Sequence, residues 1–589
     1  MNTVLAWIKK YWLVALATIV VVVFTGLPSI VFFQRMGDDF KGVYPVFNSD
    51  ALYYHARAQE IDDGHYDLNH AYFFEHKDIA YPQSNGAEYF VYGLTKLFNF
   101  SAPAMQIAFD FIAPGLIFIL TYFLFKKFSS NEYTAVLFPV ILYTVVMGGL
   151  FKPINPQITF PLLLLFLIFW IKLILNNDHK FRNSIVAGIL WGLLFLMYFY
   201  HWSFLVVVVG LYMLALLFKK SFSELKYHGL MCGIAVLIGI PYFIRIWQAM
   251  DAPFHTETAV RVGQYFSHIP ESIPRLLVAL VWIAVFAWFV RAYNLSRDKK
   301  SYIIGTLLLA NIIYPNHQII SGIIIQNAVH WSWMPVFIFA LSAHYMLSIA
   351  RNNKPSFKNI SAYVLIALML IAPAWRLNTF NWSRYVSQYN NNVVDDKQYY
   401  SEVFDWINDN TQKDVVIFSD SELMKFIPAY THANVYNSEY AYNLPGSDQE
   451  VIERYLLAHF FEPGSFYENG FGLSGGARIL WSFPSESEKN THTFFRGWGF
   501  GREANYEEQY SFDKELAKIS GVYESLLEQD WDIALLKKYR LDYIVWDSNE
   551  SLEWDIKDYS QDLELVKKIG DVIIYKFKDT RYALDASRI

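Results

Sequence analysis

The stretch YWLVALATIVVVVFTGLPSIVFF, residues 11–33, decides the fold class of this 589-residue chain. It contains no charged residue and exceeds the roughly 20 apolar residues that a helix needs to cross a bilayer core. Lys9 and Lys10 precede it, and no small-residue cleavage site follows it. The stretch therefore predicts a retained membrane anchor rather than a cleaved signal peptide.

Apolar stretches of similar length recur through the first two-thirds of the chain. Together with 11–33 they predict about eleven membrane-spanning helices. The others are 106–125, 133–150, 157–176, 183–200, 202–218, 229–248, 274–290, 301–314, 329–350 and 359–376. Segment 318–327 is apolar but too short to cross, so we expect it to re-enter the membrane or to pack against its neighbours.

The composition limits the kinds of protein that this chain can be. It is 54% hydrophobic and only 17% charged, against about 25% charged in a typical soluble protein. A net charge of −6 argues against nucleic acid as a partner. A single cysteine, Cys232, excludes an intramolecular disulfide and any cysteine-based metal cluster.

The charges in the loops predict the orientation. Lysine and arginine concentrate on one side of the predicted spans, and acids such as Asp38 and Asp39 on the other. By the positive-inside rule the basic side is cytoplasmic. We therefore expect a multi-pass protein of the cell (plasma) membrane with a cytoplasmic N-terminus. The basic residues are Lys9, Lys10, Lys126, Lys127, Lys180, Arg182, Lys219, Lys220, Lys226, Arg297, Lys299, Lys300, Arg351, Lys354 and Lys358.

Two domains follow from this pattern. Residues 1–376 form a transmembrane domain with two long outer loops, 34–105 and 249–273. An odd number of spans places residues 377–589 outside the cell. There, helix-like stretches precede the β-like runs 415–418, 543–546 and 572–575, a pattern typical of an α/β or α+β domain.

One carboxylate in loop 34–105 is a candidate for chemistry. Asp50 begins an amphipathic stretch, and Tyr54, His55 and Arg57 follow on the next turn. Carboxylates also commonly begin helices as N-caps. From the residues alone, a structural cap and a functional group both remain open.

The motifs around Asp50 resemble the first outer loop of the catalytic subunits of oligosaccharyltransferases, which are GT-C membrane glycosyltransferases. The matching residues are Gly37-Asp38-Asp39-Phe40, then DALYYHARAQEI at 50–61 with Gly64, and Tyr81-Pro82-Gln83. In that family an Asp placed before an aromatic pair and a short helix is catalytic. The resemblance implies that Asp50 is the catalytic residue and that Tyr54 and His55 help to bind substrate.

Further along the chain, two segments resemble others of the family. Residues 197–203, MYFYHWS, are similar to its aromatic turn between two spans. Residues 327–331, NAVHW, resemble the segment where the family has an Arg near the lipid phosphate. The resemblance implies that His330 takes that place, with Trp331 beside it; a histidine that only caps a span is the alternative.

Three family motifs are altered. The second-loop Asp-x-Asp is Asn155-Pro156-Gln157, and Thr-x-x-Glu is Thr258-Ala259-Val260-Arg261. The Trp-Trp-Asp motif, which reads the acceptor hydroxyl, is Phe418-Ser419-Asp420, so only Asp420 remains for substrate binding. These changes predict that the protein does not recognise Asn-x-Ser/Thr sequons.

The altered motifs also remove most ligands of a divalent cation. Mg²⁺ and Mn²⁺ prefer carboxylate oxygens, and Asn155 and Gln157 offer only neutral carbonyl oxygens beside Asp50. We expect no cofactor, with Arg261 facing the leaving phosphate in place of a metal and Arg245 as a weaker candidate. Glu257 or Glu271 would restore a ligand if the alignment is shifted, so a Mg²⁺ or Mn²⁺ site stays the alternative.

The sequence thus predicts a polytopic α-helical, GT-C-like glycosyltransferase. Its partners would be the lipid bilayer, a polyprenyl phosphate or diphosphate sugar donor and an extracytoplasmic acceptor. The alternatives are an inactive relative that binds glycan or lipid, a true oligosaccharyltransferase acting on protein, and a transporter of lipid-linked glycan. The absence of repeat halves argues against the transporter.

Overall fold

The computed structural model describes most of the chain. It covers residues 2–578 except 49, 130, 147–151, 267, 269, 271, 326–333, 352–393, 463–511 and 530.

Long helices dominate the N-terminal two-thirds. In chain order they are α1 (Asn2–Met36), α2 (Ala51–Asp63), α3 (Gly86–Phe98), α4 (Ala102–Lys126), α5 (Glu132–Val146), α6 (Thr159–Leu175), α7 (Lys180–Met197), α8 (Phe199–Phe218), α9 (Phe222–Met250), α10 (His255–Arg261), α11 (Ile273–Ala292), α12 (Lys299–Ile313), α13 (Gln318–Ser321) and α14 (Met334–Arg351). A π-helical turn, Pro153–Ile158, leads into α6.

The structure confirms a multi-pass helical membrane protein. Within the described ranges, eight helices are long and apolar enough to cross a membrane: α1, α4, α6, α7, α8, α9, α11 and α14. Two further predicted spans are the 15-residue helices α5 and α12. The predicted span 359–376 lies outside the described residues, as does the domain boundary at 376.

Small residues allow two of these helices to approach closely. At Gly188 and Gly192 on α7, an added Cβ would lie only 2.9 and 2.6 Å from the Cβ atoms of Ile234 and Ile238 on α9. Close helix contact through small residues is typical of membrane interiors, where apolar burial does not drive association.

The first long loop, residues 34–105, contains α2 and α3. Its apolar residues, among them Leu52, Tyr53 and Tyr72, belong to the core of the C-terminal domain rather than to that of the membrane helices. The buried ion pair between Arg57 Nε on α2 and Glu88 Oε1 on α3, at 2.6 Å, joins the two helices. α2 is therefore held by the core of the C-terminal domain through its apolar residues and by α3 through the ion pair.

The C-terminal domain has a five-stranded mixed sheet, in agreement with the predicted α/β or α+β class. The strands are β3 (Val416–Ser419), β4 (Asn434–Val435), β5 (Tyr543–Asp547), β6 (Leu563–Ile569) and β7 (Val572–Phe577), in the order β4-β3-β5-β7-β6. β3 is parallel to β4 and β5, whereas β7 is antiparallel to β5 and β6. The described helices of this part are α15 (Tyr400–Asn410), α16 (Leu423–Tyr430), α17 (Asp448–Leu457) and α18 (Phe512–Leu527).

The short apolar segment that begins at residue 318 packs against the 249–273 loop. Strand β1 (Tyr265–Phe266) pairs antiparallel with β2 (Ile323–Ile324), which follows α13. Backbone pairing of this kind fits the predicted packing against neighbours for the described part, 318–325.

Candidate active site

Asp50 lies immediately before α2, at the position of a helix N-cap. Its side chain nevertheless accepts no capping hydrogen bond from α2. The carboxylate instead forms an ion pair with the ammonium group of Lys152, which lies just before the 153–158 turn. The Asp50 side chain is 36% exposed and that of Lys152 is 19% exposed. The Asp50 side chain therefore forms an ion pair instead of a helix cap, and its catalytic role stays a prediction.

Tyrosines from different parts of the chain interact electrostatically with this carboxylate. Burial is the main cause that raises the pKa of Tyr54, Tyr440 and Tyr442 above its ordinary value of 10, and the negative charge of Asp50 adds to the shift in each case. Tyr54 comes from α2, whereas Tyr440 and Tyr442 come from the C-terminal domain. The site therefore forms where the first long loop meets that domain.

The 153–158 turn forms the third side of the site. Asn155 Nδ2 donates to the Tyr198 hydroxyl at 2.9 Å, and its Oδ1 accepts from Thr159 at 3.3 Å. Tyr54 packs against the apolar cluster that contains Ile154. The turn is thus held against both α2 and the predicted aromatic turn at 197–203.

A buried carboxylate on α4 accepts a hydrogen bond from the same turn. Asp110 on α4 is 2% exposed, and its Oδ1 accepts hydrogen bonds from Gln157 at 2.7 Å and Gln106 at 3.0 Å. Gln106 also donates to the Gln157 side-chain oxygen at 2.7 Å. Because acids at membrane depth are expensive, this network is a strong constraint on where the turn lies.

Among the described residues, the oxygen atoms near Asp50 that could bind Mg²⁺ or Mn²⁺ already have partners within the protein. Asn155 and Gln157 use their amide oxygens in hydrogen bonds within the protein, and Asp50 carries an ammonium partner. Across the described ranges, no group of three or more His, Cys, Asp or Glu side chains could hold a metal ion. The donor set thus lacks the several carboxylates that such a cation prefers.

Arg261 has partners that differ from the expectation. Its side chain is 1% exposed, and every nitrogen of its guanidinium donates to protein acceptors. These acceptors are the carbonyl oxygens of Tyr442, Leu444 and Gly446 at 3.2, 2.6 and 2.8 Å, the hydroxyl of Thr258 at 3.1 Å and the carboxylate of Asp448 at 2.5 Å. Arg261 joins the 249–273 loop to the C-terminal domain, which corrects its assignment as a phosphate ligand.

Glu257 and Arg245 are engaged in a similar way. Glu257 Oε2 accepts from the Asp448 backbone N–H at 2.5 Å, so its carboxylate caps α17. Arg245 Nε donates to the Tyr81 carbonyl oxygen at 2.9 Å. Both side chains hold loops in place, and Glu271 lies outside the described residues.

His55, predicted to bind substrate, is a core residue of α2. It is 5% exposed, and burial lowers its pKa to about 3. The ring is therefore neutral at ordinary pH and cannot supply a cation to a phosphate. The structure thus places His55 in the core, so its predicted role in binding substrate stays a prediction, whereas Tyr54 lies beside the site.

Asp420, the remaining residue of the acceptor motif, is buried at the start of α16. Its Oδ1 accepts from the backbone N–H groups of Glu422 and Leu423, both at 2.9 Å. Burial and the nearby charge of Asp547 raise its pKa to about 6. The preceding Phe418 is fully buried in the domain core. Asp420 thus caps α16 in this structure, and its predicted role in binding substrate stays a prediction.

His330 and Trp331 lie outside the described residues, and their predicted roles stay predictions. Lys152 is the residue that the sequence interpretation missed. It stands three positions before Asn155 in the altered second-loop motif, and a lysine beside a motif that has lost its acids is the signal that points to it.

A second charged cluster joins the far end of α2 to the C-terminal domain. His65 Nε2 lies 2.7 Å from Asp414 Oδ1, and Lys77 Nζ lies 2.9 Å from Glu60 and 3.2 Å from Asp414. The hydrogen bond with Asp414 raises the pKa of His65 above 6.5. Burial alone would raise the pKa of Asp414. The hydrogen bonds and positive charges of His65 and Lys77 lower it instead.

We expect this cluster to make stability depend on pH. A His whose folded pKa is raised contributes fully below its unfolded value of about 6.5, and the contribution is lost as pH rises through the folded pKa. Below pH 6.5 the free energy of unfolding of the wild type should exceed that of His65→Gln by about 0.2–1 kcal/mol, the range of partly exposed pairs. The difference should fall as pH rises through the raised pKa of folded His65. Unfolding of both proteins between pH 5 and 9 measures this. A difference that stays constant over that range would contradict it.

The fold and this site define a multi-pass helical membrane protein with an ion-paired carboxylate where its long loops meet a C-terminal sheet domain. No protein-family model matches the chain, and no curated protein matches its sequence. The solved structures that are similar in fold include an oligosaccharyltransferase and ArnT. The apo oligosaccharyltransferase of Archaeoglobus fulgidus is 13% identical, with 93% of this chain and 71% of that chain covered and a TM-score of 0.45. ArnT from Cupriavidus metallidurans bound to undecaprenyl phosphate is 11% identical, with 94% and 97% covered and a TM-score of 0.48.

Proposed function

We propose that this protein is a membrane glycosyltransferase that transfers a sugar or glycan from a polyprenyl phosphate or diphosphate to an extracytoplasmic acceptor. The observation that carries the proposal is the position of Asp50. Its carboxylate is partly exposed, caps no helix, and lies where two loops of the membrane domain meet the C-terminal domain. It also occupies the catalytic position of the family that the sequence resembles.

The chemistry follows from this placement. A hydroxyl or other nucleophile of the acceptor attacks the anomeric carbon of the sugar. The bond from that carbon to the acceptor forms while the bond to the phosphate oxygen breaks, so the polyprenyl phosphate leaves with the electron pair. Asp50 takes the proton of the nucleophile, as a general base.

The C-terminal domain is the proposed acceptor platform. It contributes Tyr440 and Tyr442 to the surroundings of Asp50. Aromatic faces with polar hydroxyls suit recognition of sugars and other amphipathic groups. The orientation with residues 377–589 outside the cell remains part of the proposal and rests on the charges of the loops.

Cells that lack the protein provide the test. We expect one surface glycoconjugate to lose a sugar and the matching lipid-linked sugar to accumulate, both reversed by the wild-type gene but not by Asp50→Asn. Mass spectrometry of surface glycans and of the lipid extract measures both. Unchanged glycans and lipids would overturn the proposal. If Asp50→Asn also restores the glycan and the lipid levels, the result would instead support the alternative of an inactive relative that binds glycan or lipid.

We also expect that the protein does not glycosylate Asn-x-Ser/Thr sequons. Strong selection for a hydroxyl requires buried polar groups built to pair with it. Phe418 is packed against Tyr436, Phe461 and Trp554 in the core, and Asp420 binds backbone N–H groups. A fluorescent sequon peptide incubated with protein and lipid donors should stay unmodified. Modification that is lost when Ser/Thr in the peptide becomes Ala would refute this.

A further inference from the structure

We propose that Lys152 holds the phosphate of the lipid donor, so that its ammonium group takes the place of a metal ion beside Asp50. The inference rests on the proposed function and extends it to the part of the site that binds the leaving group. It follows from the position of Lys152, from its burial and from the partners that the other nearby cations already have.

Lys152 is held where a phosphate ligand is needed. It is 19% exposed, and its ammonium group pairs with Asp50. The turn that follows it is fixed by the hydrogen bonds of Asn155 with Tyr198 and of Gln157 with Asp110. A cation on such a constrained segment needs little reorganisation when charge develops nearby, which is the condition for strong electrostatic stabilisation.

Three other cations near the first long loop, all among the described residues, already have partners within the protein. Arg57 pairs with Glu88, Arg245 donates to the Tyr81 carbonyl oxygen, and Arg261 donates to Asp448 and to three backbone carbonyl oxygens. Lys152 differs because its anionic partner is the proposed catalytic carboxylate itself. A lysine ammonium carries three donors on a flexible stem, so it can keep one on Asp50 and give the others to a phosphate.

The same placement explains why the altered second-loop motif carries no acids. A divalent cation next to Asp50 would lie close to the ammonium group, and two like charges at short range repel strongly in a partly buried site. With Asn155 and Gln157 neutral, the turn that follows Lys152 adds no negative charge to the site. An anionic phosphate that approaches Lys152 therefore meets no carboxylate from this turn.

Binding of undecaprenyl phosphate to the purified protein in nanodiscs, in EDTA, tests the inference. Lys152→Met should weaken binding about ten- to a hundredfold, the range for a lost hydrogen bond between charged partners. Lys152→Arg should stay within a few-fold of wild type because the charge is kept. Asp50→Asn should bind equally or more tightly, since a negative charge is removed. The matched control is Lys96→Met, which breaks the exposed pair with Asp62 on α2 and should leave binding unchanged.

The outcomes separate this inference from the proposed function. Binding by Lys152→Met at the wild-type level overturns the role of Lys152 alone. Binding to wild type that requires Mg²⁺ or Mn²⁺ overturns the replacement of a metal. No binding of the lipid by the wild type overturns both the inference and the proposed function. An intact Lys152 effect together with full transfer by Asp50→Asn overturns only the catalytic role of Asp50.

Discussion

Asp50→Asn is expected to reduce sugar transfer by about 10²- to 10⁴-fold, the contribution typical of general acid–base catalysis. The amide has almost the same shape as the carboxylate but cannot take a proton from the acceptor. Its oxygen can still accept a hydrogen bond from Lys152, so expression and folding should be unchanged. Single-turnover transfer by purified protein in liposomes measures the loss.

Asp62→Asn is the matched control for this substitution. Asp62 lies on the same helix, pairs with Lys96, and is 40% exposed, so its removal should leave transfer at the wild-type rate. Near-normal turnover by Asp50→Asn would remove the carboxylate from the mechanism. An equal loss in both variants would show that the effect comes from the charge of α2 in general.

Arg57→Met is expected to destabilise the protein by about 3–5 kcal/mol, the cost of leaving one partner of a buried ion pair alone. The Arg57 side chain is 0% exposed and that of Glu88 is 2% exposed. The guanidinium also donates to the carbonyl oxygens of Leu68, Asn69 and Ser84 at 3.3, 3.4 and 3.3 Å. Since Arg57 stands two turns after Asp50 on α2, transfer should fall with stability. Unfolding in detergent measures the loss.

The double variant Arg57→Met/Glu88→Gln separates the charge from the packing. It removes the unpaired carboxylate, so it should be more stable than Arg57→Met alone, with a coupling energy of about 0.5–3 kcal/mol. Lys96→Met, which breaks an exposed pair on the same loop, should cost no more than about 1 kcal/mol. Equal costs for the buried and exposed pairs would contradict the role given to Arg57.

Hydropathy and strand patterns were sufficient to predict a multi-pass helical membrane protein and three of the five strands in the C-terminal sheet. Each signal is local: a span needs about 20 apolar residues, and the runs at 415–418, 543–546 and 572–575 are short and β-branched or aromatic. Sequence could not show that Leu52, Tyr53 and Tyr72 of the first long loop belong to the core of the C-terminal domain. That packing joins residues more than 300 positions apart and has no local pattern.

The candidate site was predictable for Asp50 and not for its cationic partner. Asp50 is set in a recognisable motif. Lys152 lies next to the turn 153–158, which is held by contacts with distant parts of the chain such as Asp110 on α4. Arg261 shows the opposite case. Its charge suggested a phosphate ligand, but a guanidinium has five donors, and here backbone carbonyl oxygens and Asp448 accept from them.

Consumption of a lipid-linked sugar is the most direct measurement of the central claim. Purified protein in liposomes receives the polyprenyl-phosphate sugar fraction extracted from its own cells, and mass spectrometry follows each lipid with time. The account predicts that the wild type consumes one lipid-linked sugar and releases an equal amount of free polyprenyl phosphate or diphosphate. With Asp50→Asn, the lipid-linked sugar should remain and no free polyprenyl phosphate or diphosphate should appear. No loss of any lipid-linked sugar with the wild type, or equal loss with Asp50→Asn, would contradict it.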